Sequence, residues 1–315
     1  VTAQGASIVH EFYLPMPEAQ IRQAYGLIET NLSNTLDSAF SVVVTGGGTV
    51  VYYDQWEDGY EVDLAHPTQA TTQVWGDGND ANGIPPGFAH DPIGLPIGTV
   101  LTLRNLVPLP RNPGTLLFDA RDRIAATKAL VVSRFAWPTT PGPVMAGAAE
   151  VPATIDYGTN YISPVGQDMT NKLFQYCGLF VMASDDATYV TIDPDAAGPA
   201  SAFTVLLNRG ESYLVNGGVK KGGSVTANKP VQANLLVGHI GAHYAADWFA
   251  LRPVSSWNST YYTPVGTSSN GNPAFVYLYN ANPAAITVNF TTLSGSGSFS
   301  IPSAGVFQYQ MPKGS

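Results

Sequence analysis

The sequence predicts an all-β protein of tandem β-sandwich units, of jelly-roll or immunoglobulin-like type, with one short helix near residues 17–36. Three observations carry that expectation. Lys, Arg, Asp and Glu make only 12% of the 315 residues, too few to cover the polar faces of a helical bundle. The 32 Gly and 24 Pro residues interrupt the chain at short intervals, as strands joined by tight turns require. Between them lie runs rich in Val, Thr, Tyr and Phe, at residues 40–45, 49–53, 99–103, 130–135, 189–193, 203–207 and 231–237. Many short strands at such spacing make sandwiches or barrels.

In chain order, residues 1–9 have ordinary strand composition and begin without Met or the basic and apolar regions of a signal peptide, so a mature, exported chain is expected. Residues 17–36 place Ala19, Ile21, Ala24, Leu27, Ile28 and Leu32 near a 3.6-residue period, the helix signal, with Gly26 against it. After that the chain repeats itself. An aromatic stretch closed by proline opens each unit, as Phe12-Tyr13-Leu14-Pro15, Tyr161-Ile162-Ser163-Pro164 and Tyr261-Tyr262-Thr263-Pro264. A strand pair of similar design follows, from Ala39, Leu179 and Ala274. A further block, Ile124-Ala125-Ala126-Thr127-Lys128, returns as Val225-Thr226-Ala227-Asn228-Lys229 and has no third copy. The organisation expected is a strand at 1–10, units at 11–155 and 156–257, and an incomplete unit at 258–315.

A sandwich short of a strand leaves unpaired backbone groups and an open apolar groove. Val1-Thr2-Ala3-Gln4 matches the absent block, most closely Val225-Thr226-Ala227-Asn228. Val1, Thr2, Ala3, Gln4, Ile8 and Val9 are therefore the candidate polymerisation strand. Phe275, Tyr277, Ile286, Val288, Phe299, Ile301 and Phe307 are the candidate acceptor groove. Donation to the next copy would propagate head to tail; pairing of the same residues within unit 1 is the plainer alternative.

The densest polar cluster is Tyr52-Tyr53-Asp54-Gln55-Trp56-Glu57-Asp58-Gly59-Tyr60-Glu61-Val62-Asp63, with Asp77, Asn79, Asp80 and Asn82 beyond it. Asp54, Asp58, Asp77, Asn79, Asp80 and Asn82 offer the oxygens that Ca²⁺ takes, without the EF-hand spacing. The same residues equally close turns in a solvated acidic loop. No other cofactor is implied.

At this cluster a family resemblance emerges. The 52–63 string, with the segments at 68–78, 117–124 and 179–183, resembles large secreted surface proteins of bacteria and algae. These are similar in plan to the IgGFc-binding protein N-terminal domain. The likeness spans roughly residues 12–264. It implies an extracellular β-sandwich protein of adhesive or matrix character without catalysis. This chain stops soon after its third unit opens, which suits a repeating subunit better than a host-ligand adhesin.

Enzyme signatures are weak. His239 and His243 have the i, i+4 spacing of a zinc-binding helix but stand among glycines after a strand. Cys177, the only cysteine, lies in an apolar strand and excludes an internal disulfide. Glu57 with Glu61 or Asp58 has the residue types of a glycosidase pair, and Trp56, Tyr60 and Trp75 those of a sugar-stacking surface. The sequons at Asn31, Asn258 and Asn289 are candidate glycan attachment points and no more than chance supplies. A net charge of -9 excludes nucleic acid as a natural partner, and no run of 18 apolar residues exists for membrane insertion.

The reading is a non-enzymatic, secreted, cell-surface subunit of an extracellular filament or surface layer, whose partner is another copy of itself. The alternative is a monomeric calcium-dependent adhesin or glycan-binding module.

Overall fold

A computed structural model describes residues 7–242, 246–263, 266–268, 271, 273–293 and 295–313. Its architecture is all-β with one α-helix, as the composition requires. Unit 1 contains β1 (His10–Tyr13), α1 (Glu18–Ile28), β2 (Thr35–Val44), β3 (Val51–Asp54) and β4 (Gln73–Trp75). It continues with β5 (Val100–Pro108), β6 (Arg123–Ala126), β7 (Leu130–Pro138) and β8 (Gly147–Val151). Two four-stranded sheets, ordered β1-β6-β3-β4 and β5-β2-β7-β8, enclose Phe12, Phe40, Val42, Tyr53, Trp75, Leu101, Ile124 and Val132.

Unit 2 repeats this plan with β9 (Gly158–Ile162), β10 (Tyr176–Ala183), β11 (Thr188–Asp193), β12 (Phe203–Leu207), β13 (Ser212–Val215), β14 (Ser224–Gly238) and β15 (Ala246–Ala250). The long β14 does the work of β6 and β7 together. Its first residues pair with β9 and β11, and residues 231–238 pair with β10. The change of partners falls at Asn228-Lys229-Pro230, where proline cannot donate to a ladder, and at the equivalent Thr127-Lys128-Ala129 unit 1 breaks into two strands.

Unit 3 comprises β16 (Phe275–Tyr279), β17 (Ile286–Thr292), β18 (Gly295–Ile301) and β19 (Val306–Gln310). Among the described residues, β16 pairs only with β19, and β17 only with β18. Ring contacts between Phe299 and Phe307 (3.8 Å) and between Phe290 and Tyr309 (4.8 Å) hold the two ladders face to face.

Three expectations need correction. The helix is shorter than 17–36: Glu29 turns extended, Thr35 starts β2, and Leu36 is buried as a strand residue. Turn-forming Asn31, Ser33 and Asn34 intervene, and the Arg22 guanidinium donates to Ser33 O (2.8 Å) and Leu32 O (3.3 Å), holding the chain folded back. Ile8 and Val9 belong to their own unit 1. Ile8 packs against Tyr52, Leu64, Val74 and Ala125, and Val9 N–H donates to Ala126 O (2.9 Å). Val1, Thr2, Ala3 and Gln4 lie outside the described residues. Finally, Phe275 and Tyr277 do not face the ring-lined interior of unit 3. The register Leu278↔Phe307 and Val276↔Tyr309 turns them to the opposite side. There Tyr277 meets Phe174 of unit 2 edge-on at 5.0 Å and accepts from Asn171 Nδ2 (2.9 Å).

Units 1 and 2 share apolar packing. Ile21, Tyr25 and Ile28 on one face of α1 cluster with Leu36, Ala136 and Met145 and with Tyr176, Phe180, Leu236 and Trp248 of unit 2.

Candidate functional site

The 52–63 string folds into a polar knot beside β3. Tyr53 lies in the core, stacked between Phe40 (5.8 Å) and Trp75 (5.5 Å). Its hydroxyl donates to Asp122, which also accepts from Trp56 N (3.3 Å) and Asp119 N (3.1 Å). Gly59, with φ +92°, closes a turn onto Trp56 O. Asp54 accepts from Glu61 N (3.1 Å), and the Glu61 carboxylate accepts from Thr68 N (2.6 Å) and Gln69 N (2.5 Å). Arg111 bridges Glu57 and Asp119, both with side chains 1% exposed. Trp56 donates its indole N–H to Asp119 (3.0 Å) and carries the Arg121 guanidinium 4.0 Å from its ring. Arg123 pairs with Glu11 (2.7 Å) and reaches Glu61 O (3.0 Å). Burial pushes the Asp54 carboxyl up to about 6 and the Asp119 and Asp122 carboxyls above their ordinary range.

The knot gathers Glu57 and Glu61 as structural links, each held by its own donors, with Asp58 turned to Thr71 Oγ1 (2.5 Å). It also corrects the sugar-stacking expectation. Trp75 is fully buried, Tyr60 packs edge-on against Tyr13 (5.5 Å) and donates to Arg121 O (2.7 Å), and Trp56 is covered by Arg121. Arg111, Asp119 and Asp122, the partners that hold the string, come from far along the chain. Nothing in the sequence pattern marks Arg111 as the link between Glu57 and Asp119.

The six calcium candidates divide between two places. Asp54 and Asp58 sit in the knot. Asp77 accepts from Asn79 N (3.0 Å) and Asn82 Nδ2 (2.8 Å), Asn79 caps Ala81 N (3.2 Å), and Asp80 holds His90 Nδ1 and Asp91 N, both at 2.6 Å. Asp91 gathers the N–H groups of Gly76 and Gly78 at 2.6 Å each. That role was not foreseen, although a glycine turn whose amides point one way calls for an anion. Among the described residues no group of three or more His, Cys, Asp or Glu side chains is placed to hold a metal ion. Asn31, Asn258 and Asn289 are all exposed. Burial pushes the Cys177 thiol up to about 12.

The remaining candidate is the edge of unit 3. In unit 2, Val190, Thr191 and Ile192 of β11 pair with β12 on one side and with Ala227, Thr226 and Val225 of β14 on the other. Val190 and Ile192 are fully buried as a result. Ile286, Thr287 and Val288 hold the equivalent places in β17, paired among the described residues with β18 alone, and Ile286 and Val288 stay partly exposed. Among the described residues, unit 3 has the counterparts of β2 through β5 and none of β6, β7 or β14.

The model of the IgGFc binding protein family matches residues 151–313, just over half of the chain. The chain belongs to the IgGFc-binding family. This is a family of extracellular binding and surface proteins, not one of enzymes, and among the described residues no helix is long and apolar enough to cross a membrane. The match starts at the end of β8 and covers units 2 and 3; the 52–63 knot lies outside it. Comparison with curated proteins and with solved structures gave no match.

Proposed function

We propose that this member of the IgGFc-binding family is a subunit of an extracellular filament or surface layer. In it, residues 1–6 of one copy add as a strand to unit 3 of the next. The observation that carries the reading is the absence, among the described residues of unit 3, of a counterpart to β14 of unit 2, or to the successive strands β6 and β7 that do its work in unit 1. Val1-Thr2-Ala3-Gln4 shares three of its four residues with Val225-Thr226-Ala227-Asn228 near the start of β14. Transferring the β11–β14 register gives Val1 opposite Val288, Thr2 opposite Thr287 and Ala3 opposite Ile286. Val1 and Ala3 then point inward beside Val288 and Ile286, and the added backbone hydrogen bonds supply affinity. Ile8 and Val9 remain on their own unit as the stem from which the donor extends. A contact between different surfaces of the two copies does not close on itself, so it grows into a fibre. The family name speaks of an IgG Fc partner; binding of a protein partner is the coarser form of this reading, and a second copy is such a partner.

The test is a chain carrying Thr2→Cys and Thr287→Cys. Facing residues of paired strands sit close enough for a disulfide, and buried Cys177 does not compete. Mild oxidation is expected to give a ladder of covalent multimers on non-reducing gels, and a chain lacking residues 1–6 is expected to stay monomeric with the fold of units 1 and 2 intact. Absence of the ladder at concentrations that form fibres, or fibres from the shortened chain, overturns the proposal.

A further inference from the structure

Beside the knot, in unit 1, lies a cleft of about 600 Å³ lined by polar and apolar residues, four of them with amide side chains. Gln55, Gln73, Asn82 and Asn105 line it together with the apolar Leu116 and Phe118. The internal bonds of these amides fix which end each presents. Asn105 Oδ1 accepts from Phe118 N (2.6 Å), leaving its NH₂ for the cleft. Gln73 Oε1 accepts from Trp75 Nε1 (3.2 Å), which likewise leaves its NH₂. Asn82 donates to Asp77 (2.8 Å), and its Oδ1 stands buried without a partner. Gln55, only 5% exposed, makes no side-chain hydrogen bond among the described residues.

The lining is thus a mixed set of neutral donors and acceptors. Its one charged group, Asp80, has both oxygens engaged by His90 and Asp91 N, and the nearby Arg111 is held by Glu57 and Asp119. An ionised ligand meets no free counter-charge here, and the chain's net charge of -9 repels anions. Hydroxyl groups, each both donor and acceptor, fit a lining that offers amide N–H groups as well as amide oxygens. The apolar face of a sugar ring fits Phe118 and Leu116. We infer that this cleft binds a neutral oligosaccharide. The site is separate from the edge of unit 3 and from residues 151–313, so it gives unit 1 a recognition role of its own.

The full chain is titrated calorimetrically with cellohexaose, laminarihexaose, mannohexaose and chitohexaose, with heparin and polygalacturonate as acidic arms and a degenerate hexapeptide mixture as the peptide arm. At least one neutral hexaose is expected to bind. Gln55→Met keeps bulk and removes the amide; Asn105→Asp keeps the bond from Phe118 N and removes the NH₂. Each is expected to weaken binding by about tenfold, the loss of roughly one hydrogen bond, with an unchanged urea midpoint. The inference fails if no neutral hexaose binds, if the acidic polymers or the peptides bind better, or if both variants bind like wild type. Multimer formation by the doubly cysteine-substituted chain is read separately and is unaffected by any of these outcomes.

Discussion

The contact that fixes α1 to unit 1 is the buried pair Glu18–Arg134, and its removal is the sharpest test of the packing. Arg134 is fully buried; its Nη2 donates to Glu18 Oε1 (2.6 Å) and Met16 O (3.1 Å), and its Nη1 donates to Ser38 Oγ (3.0 Å). Glu18 accepts further from Ser38 Oγ (2.7 Å) and Ala120 N (3.1 Å). Burial opposes ionisation of Glu18, but Arg134 and Ser38 overcome it and hold the carboxyl below its ordinary range. Glu18→Gln therefore leaves a guanidinium in the interior without its counter-charge, which costs about 3–5 kcal/mol. Glu18→Gln combined with Arg134→Met removes both charges and is expected to recover to within about 2 kcal/mol of wild type. Urea unfolding followed by tryptophan fluorescence measures both. Because Ile21, Tyr25 and Ile28 of α1 also pack on Phe180 and Trp248, the loss is expected to shift the unfolding of units 1 and 2 together. A cost below about 1 kcal/mol for Glu18→Gln would show that water reaches Arg134, and the account of this core would be wrong.

Further outcomes follow from the knot and its surroundings. Asp54 has a folded-state pKa raised by burial to about 6, so its protonated form favours folding below about pH 4 and that contribution is lost as pH rises toward 6. Asp54→Asn should lack this slope, gaining up to about 3 kcal/mol relative to wild type between pH 4 and 7; parallel urea titrations at the two pH values read it. Gly210 has φ +70° and would place a Cβ against the Tyr60 hydroxyl across the contact between units 1 and 2. Gly210→Ala should cost more than about 1 kcal/mol in thermal unfolding, and Tyr60→Phe in the same chain should return part of it. Because the loop oxygens of Asp77, Asp80 and Asp91 already accept internal donors, chelator or added Ca²⁺ is expected to leave the melting temperature unchanged. An upward shift with Ca²⁺ would restore the calcium reading.

The repeat was legible because equal strand tasks leave equal sequence: Ala126-Thr127-Lys128 and Ala227-Asn228-Lys229 mark the same change of sheet in both full units. The helix end was not. Leu32 and Leu36 continue the helical period by coincidence, and the decision falls to Arg22 holding carbonyls ten and eleven residues away. The facing of β16 was equally hidden. Phe275-Val276-Tyr277-Leu278-Tyr279 is apolar on both faces, so no alternation tells one side from the other, and only contact with Phe174 and Asn171 does. Aromatic and acidic residues in the 52–63 string have the composition of a sugar site. What consumes them is the set Arg111, Asp119 and Asp122, whose approach depends on the closed sandwich. The amide cleft gave no sequence signal, since Gln55, Gln73, Asn82 and Asn105 share neither spacing nor motif.

The way β14 is used explains why its absence from the described part of unit 3 matters more than the loss of an ordinary edge strand. In unit 2 it is interior to both layers: β9 and β11 flank its first part, and β10 and β15 its second. Omitting a rim strand such as β12 would shorten one sheet. Omitting the shared strand leaves both ladders of unit 3 two-stranded, and an isolated two-stranded ladder is marginal in water. The aromatic contacts among Phe290, Phe299, Phe307 and Tyr309 hold the ladders together, but they leave the edges of β16 and β17 unpaired among the described residues. An added strand at β17 therefore supplies hydrogen bonds and cover for Ile286 and Val288 at once. In the proposed assembly, association of copies and the stability of this unit become one equilibrium, rising with the concentration of chain.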